Sequence, residues 1–156
     1  MNLDKESHVP SFVVFQIGSR RVALPRDCVA ELIASPTLFS FPHTTPLITG
    51  VALRRGRIVP ILDLGPGLLG GSSPEARFFL VVERRDPKMS ERCAIPVQGE
   101  CELVSGDVLP ASAQEGFITG CMDLNGEQID VIDLERAIAT SAKFSESSVP
   151  AVEALE

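Results

Sequence analysis

The chain contains no tryptophan and no tyrosine, and its aromatic residues are eight phenylalanines in 156 residues. Its core volume must therefore come from valine, isoleucine and leucine. These fall in short runs separated by twelve prolines and twelve glycines, the composition of an all-β domain. No apolar run approaches the roughly 20 residues of a membrane helix, and no basic, apolar and small-residue signal opens the sequence. No direct membrane insertion and a cytoplasmic location are therefore expected. Positive charge is scarce as well: 14 Lys and Arg against 21 Asp and Glu give a net charge of −7 and a pI near 4.9. That is the opposite of a nucleic-acid footprint, so no nucleic-acid partner is expected.

Metal and catalytic chemistry are equally thin. His8 and His43 are the only histidines, and neither shares a zinc-type spacing with Cys or carboxylate residues. Cys28, Cys93, Cys101 and Cys121 form no C-x-x-C pair and sit in apolar segments, as free buried thiols would. No catalytic residue, metal or cofactor is expected, and the chain is read as not an enzyme.

What the sequence does have is a duplication. Ile48 to Leu64, ITGVALRRGRIVPILDL, returns at Ile118 to Leu134 as ITGCMDLNGEQIDVIDL, without a gap and at a constant spacing of 70. Each copy reads as strand, turn and strand, with glycine where a tight hairpin needs positive φ. Ala23-Leu24-Pro25 with Glu31-Leu32-Ile33 is echoed by Ala94-Ile95-Pro96 with Glu102-Leu103-Val104, so the repeat spans nearly the whole ordered chain. Two five-strand units of this size should close as small barrels sharing a core. The expected arrangement is a single domain over 12–141, with one subdomain at about 12–64 and a second at about 77–141. A short amphipathic helix should follow Asp133, and residues 1–11 and 145–156 should be flexible. The charged run Glu83 to Arg92 is expected to be a long loop.

Gly65-Pro66-Gly67-Leu68-Leu69-Gly70 matches G-x-G-x-x-G, but a strand pattern at Phe78 leaves no room for the long helix a dinucleotide site requires. The segment is read as a flexible linker. Asp63 and Asp133 end their strands at positions suited to helix capping rather than acid/base work. The turn residues are where the copies part. Arg54, Arg55 and Arg57 surround Gly56, whereas Leu124, Asn125 and Glu127 surround Gly126. Arginine's planar fork suits bidentate carboxylate partners, so a partner carrying carboxylates is expected at the first tip.

The residues F-V-V-F-x-I-G, V-A-L-P, V-x-E-L and P-x-x-I-x-G-V-x-x-R-R-G-x-I-V-P-I-L-D-L together resemble the CheW-like adaptor domain of bacterial chemotaxis, over about Phe12 to Ile138. The resemblance implies two pseudo-symmetric five-stranded SH3-like barrels on a shared core. It also implies a non-enzymatic adaptor that couples the cytoplasmic tip of chemoreceptors to the regulatory domain of a histidine kinase. Carried over by position, it places partner contacts at Arg55, Gly50, Val29 and Glu31, and a kinase-facing edge at Val97, Gln98 and Leu103. Where the family usually has Asn-Leu-Arg-Gly, this chain has Leu53-Arg54-Arg55-Gly56, with a charge at a normally apolar position. Asp63-Leu64 runs into Gly-Pro-Gly, so the short helix usual between the barrels is expected to be lost or truncated. Two rival readings are a stand-alone regulator that binds the kinase without receptors, and an enzyme with its site in the inter-barrel cleft.

Overall fold

Apolar residues at every second position, set between turn residues, make most of this chain strand. The computed structural model describes residues 9–34, 36–39, 48–71, 74–86, 89–110 and 116–139. In order these form β1 (Ser11–Ile17), β2 (Arg20–Pro25), a 3-10 turn at Arg26–Cys28, β3 (Val29–Ala34), β4 (Leu38–Phe39), β5 (Ile48–Arg54) and β6 (Arg57–Leu62). A helical turn at Gly65–Leu68 leads to β7 (Phe78–Asp86), β8 (Met89–Ser105), β9 (Leu109–Pro110), β10 (Ile118–Leu124) and β11 (Glu127–Ile132). A short helix over 134–139 follows. Among the described residues, no helix is long and apolar enough to cross a membrane. Both histidines and almost all of the expected flexible termini lie outside the described residues, although Ser11 already belongs to β1.

Two sheets of five principal strands form, each with a two-residue edge strand. One contains β3, β5, β6, β7 and the first part of β8, edged by β4; the other contains β1, β2, the rest of β8, β10 and β11, edged by β9. The sheets do not follow the halves of the repeat, which corrects the expected division into 12–64 and 77–141. The hairpin β1–β2 joins β11 of the second half through parallel pairing, Ala23 against Val131. Reciprocally, β8 joins β6 of the first half, Ala94 against Ile61. β3 pairs with β7, Ile33 against Phe79, as β8 pairs with β1, Val104 against Phe12. Each half has handed its leading hairpin to the other's sheet.

The 17-residue strand β8 serves both sheets: Val97 is its last residue opposite β7, and Gln98 its first opposite β1. Across this seam lies the largest apolar cluster, in which Phe15, Ile17, Leu24, Leu62, Leu80, Ile95, Val97 and Ile132 come from both halves. Burying apolar surface at about 25 cal/mol per Å² makes this shared cluster the main force joining the sheets. Smaller clusters fill each barrel, one around Ala52, Val59, Ile61 and Val81, the other around Val14, Ala23, Met122 and Ile129.

Two other expectations are corrected here. The run from Glu83 to Arg92 is not a loop, because β7 and β8 stay paired out to Asp86 against Met89. Glu83 faces Arg92 across the ladder, an opposite-charge pair that helps to sustain it. Nor is the glycine-rich segment a free linker. Gly65–Leu68 is one helical turn with Leu68 buried in the shared core, and Gly67 lies so close to the Phe117 ring that a Cβ there would stand 2.6 Å from it. Where the inter-barrel helix was expected to be lost or truncated, this one turn is present. Asp133 caps the C-terminal helix, its Oδ1 accepting from the Arg136 N–H at 3.2 Å. The Asp63 Oδ1 accepts from the Gly65 N–H at 2.8 Å.

Candidate functional site, a cleft of arginines at the first hairpin tip

Arg54 faces Arg57 across the closing pair of β5–β6, so a two-residue loop, Arg55-Gly56, turns the chain. Both loop residues have positive φ, 52° at Arg55 and 75° at Gly56, as a type I′ hairpin requires. Glycine takes this conformation freely, whereas for an arginine it costs about 1 kcal/mol. Residues directly opposite on a hairpin share a face. Arg54 and Arg57 therefore continue the inward face of Ala52 and Val59 beyond the barrel's end.

Strand β3 brings Glu31 to the same rim. Its Oε1 accepts from the Arg54 Nε at 2.6 Å, which relieves the repulsion between the two facing arginines. The hydrogen bond from Arg54 holds the Glu31 carboxyl below the ordinary carboxylate range against an opposing desolvation cost, with Arg55 and Arg92 adding field. Arg92 arrives from β8, loosely paired with Glu83 at 3.9 Å. Glu31, Arg54, Arg55, Arg57 and Arg92 thus surround a cleft of about 300 Å³ floored by Val59 and Val81. Four guanidinium groups stand against one lining carboxylate. Among the described residues, Arg55 and Arg57 have no ion-pair partner.

The pseudo-equivalent rim of the second half is closed by ion pairs. Asn125 and Gly126 form the same turn, at φ 54° and 87°. The counterparts of Glu31, Arg57 and Arg92 are Glu102, Glu127 and Arg21. Arg21 binds both carboxylates, at 3.0 and 2.5 Å. The outer faces differ in the same sense. Leu53 faces Ile58 on the first hairpin and both are exposed, Ile58 at 71%, whereas Asp123 faces Gln128 on the second. Phe39, opposite Val51 and so on the same face as Leu53, extends this apolar surface. Around the corner, a shallower cavity of about 540 Å³ is lined by Phe39, Gly50, Ile61, Pro74 and Phe79, with no basic residue among the described ones.

The expected site residues fall into three groups. Arg54, Arg55, Arg57 and Glu31 come together in the cleft, and Val29 lies half-buried on the same strand as Glu31. Gly50 is buried beside β4: a Cβ there would lie 2.8 Å from the Phe39 carbonyl oxygen, as one at Gly120 would from that of Leu109. Both copies keep this glycine because β4 and β9 approach so closely, so its role is in the fold. At the expected kinase-facing edge, Val97 is 0% exposed inside the shared core, and its assignment to a contact surface is corrected. Gln98 is half-buried and holds two loops together, accepting from the Gly18 N–H at 2.6 Å and donating to the Pro74 carbonyl at 2.9 Å. Leu103 alone of these three projects outward, 61% exposed.

Arg92 was not foreseen, since nothing in its charged run marks which way it faces. Leu53 and Ile58 were missed as well, although the repeat, which sets Asp123 and Gln128 at their places, carries the signal that could have found them. None of the four cysteines is in a disulfide; Cys93 is buried and the others half-buried, and burial raises the Cys101 thiol's pKa, which keeps it protonated and unreactive.

A family model for the CheW-like domain matches residues 11–142. The chain belongs to the CheW-like domain family. FrzA of Myxococcus xanthus is 27% identical over 139 residues, covering 83% of this chain and 86% of FrzA. PilI of Pseudomonas aeruginosa is 38% identical over 79 residues, covering 49% of this chain and 44% of PilI. The scaffolding protein TtCheW from Thermoanaerobacter tengcongensis superposes with a TM-score of 0.68 at 20% identity, covering 80% of this chain and 89% of its own. That likeness establishes the fold of paired SH3-like barrels. CheW-like domains are non-enzymatic scaffold and adaptor modules, and the cleft suits such a role, offering charge and shape at its rim.

Proposed function

We propose that this CheW-like protein couples the cytoplasmic tip of a chemoreceptor to the regulatory domain of a histidine kinase, as a cytoplasmic adaptor in a chemotaxis-type pathway. The observation that carries the reading is the difference between the two equivalent rims. The second is polar and closed by ion pairs, while the first keeps Arg55 and Arg57 without an ion-pair partner among the described residues, beside exposed Leu53 and Ile58. A receptor tip is a helical hairpin whose apolar ridge can lie along Phe39, Leu53 and Ile58 while its carboxylates reach Arg55 and Arg57 in bidentate pairs. The exposed Leu103 edge, on the strand shared by both sheets, offers the kinase a separate contact. Transmission is geometric: the adaptor fixes the distance and angle between its partners, so a receptor's conformational bias changes the kinase's environment.

Titration of the full chain against a receptor-tip fragment and against a kinase regulatory domain tests this, repeated with Arg55→Glu and Leu103→Glu. Arg55→Glu should weaken the receptor fragment about tenfold or more and leave the kinase fragment unaffected, with the reverse pattern for Leu103→Glu. Binding of neither fragment sinks the coupling role. Binding of the kinase fragment alone moves the reading to a regulator that engages the kinase without receptors.

A further inference from the structure

We infer that the arginine cleft also takes an acidic peptide segment supplied by the chain itself, residues 140–156, which competes there with an outside partner. The inference rests on the partner-binding reading of the cleft and adds its regulation. Among the described residues the cleft's charge is only partly compensated: of its four arginines Arg54 has a close carboxylate in Glu31 and Arg92 a looser one in Glu83 at 3.9 Å, and Val59 and Val81 give it an apolar floor. The sequence beyond 139, TSAKFSESSVPAVEALE, fits both features. Glu146, Glu153 and Glu156 carry its charge without any Lys or Arg after Lys143, and Val149, Val152 and Leu155 are interleaved with them. Such a segment has too few apolar residues to form a core alone but enough to add contact to a charged dock.

The starting point of the segment also fits. The helix over 134–139 is tied to β7 by Glu135, whose Oε2 accepts from the Arg84 Nε at 2.7 Å. β7 supplies Val81 to the cleft floor and pairs Glu83 with Arg92 at its rim. The segment therefore leaves from the hairpin that carries one side of the cleft. Extended, residues 140–156 reach on the order of 50 Å, against a radius of gyration of about 14 Å for a domain of this size. Because the segment is tethered, its local concentration at the cleft is on the order of millimolar, so even a weak contact is substantially occupied. The second rim, with Arg21 already bound by Glu102 and Glu127, offers no equivalent dock.

The test uses the full chain with Glu146, Glu153 and Glu156 all changed to Gln. Backbone amide spectra should differ from wild type at Glu31, Arg54, Arg55, Arg57 and Arg92, and not at Asn125 or Glu127. Adding 0.5 M salt should move the wild-type cleft signals towards those of the variant, since exposed charge pairs are screened at that strength. The differences should be independent of protein concentration, and the variant should bind a receptor-tip fragment about fivefold more tightly. Superimposable cleft signals at low salt overturn the inference, as do differences that grow with protein concentration, which would mean capture by a second copy. The spectra need no receptor, so failure of receptor binding with cleft shifts present sinks the coupling role alone.

Discussion

The hairpins β5–β6 and β10–β11 have the same length, the same two-residue turn and the same buried glycine beside a two-residue edge strand. They differ in what they do with the tip. At Asn125 the chain places a residue whose short side chain tolerates positive φ, and the neighbouring carboxylates are bound by Arg21. At Arg55 it places a residue that must be forced into that conformation, leaves the guanidinium without an ion-pair partner among the described residues, and puts apolar Leu53 and Ile58 on the outer face. The second tip is what the fold alone asks for. The first departs from it at several positions, each at some cost in stability, and such departures mark sites kept for contact.

The comparison can be broken most severely at the feature both tips share. Gly120→Val drives a side chain into the Leu109 carbonyl and the Val108 methyl, 2.8 and 2.5 Å from a Cβ. Overpacking against backbone should remove about 2–3 kcal/mol of stability, read from urea midpoints, with Gly50→Val somewhat milder because among the described residues its one close contact is the Phe39 carbonyl. Writing the second outer face onto the first, by Leu53→Asp with Ile58→Gln, should weaken a receptor-tip fragment about tenfold, near 1.4 kcal/mol. Both side chains are exposed, so the urea midpoint should stay within about 0.5 kcal/mol of wild type.

Exchanging the turn residues sharpens the contrast. Arg55→Asn should stabilise the fold by about 0.5–1 kcal/mol, and Asn125→Arg should destabilise it by a similar amount. Equal urea midpoints for the two variants would show that neither turn is strained. The smallest effect is in acid. Glu31 has its folded-state pKa lowered by Arg54, so its contribution is present above the unfolded value of 4.5 and is lost as pH falls through the folded one. Glu31→Gln should flatten that part of the stability profile and leave the neutral-to-alkaline part parallel to wild type. The effect is modest, since both partners are partly exposed and screened.

Much of this was legible in the sequence because it depends on local chemistry. Turn glycines at constant spacing gave both hairpins, Asp133 gave the helix start, and the arginines of the first tip stood out against their counterparts. Pairing partners were not legible, because alternation with a period of two says that a residue faces inward without saying into which sheet. The same blindness hid Val97: an exposed edge and a strand passing between two sheets have the same pattern, and only the partner strands decide that Val97 is buried on both sides. Gln98 looked like a surface amide because its partners, Gly18 and Pro74, are far away in sequence. The charged run to Arg92 reads as a loop by composition, but backbone pairing carries the ladder through it, with Glu83 set opposite Arg92.

The reciprocal pairing of β3 with β7 and of β1 with β8 has a consequence for how such a molecule arises. A half-length chain with the same pattern has nowhere in its own fold to place its leading hairpin, and the nearest matching sheet belongs to a second copy of itself. Two such chains trading hairpins form a closed, self-complementary homodimer. Joining the end of one to the start of the other through a few residues turns it into a monomer. Fusion then frees the two tips from identity: a homodimer has to carry the same residue at both, whereas the joined chain can hold asparagine at one and arginine at the other.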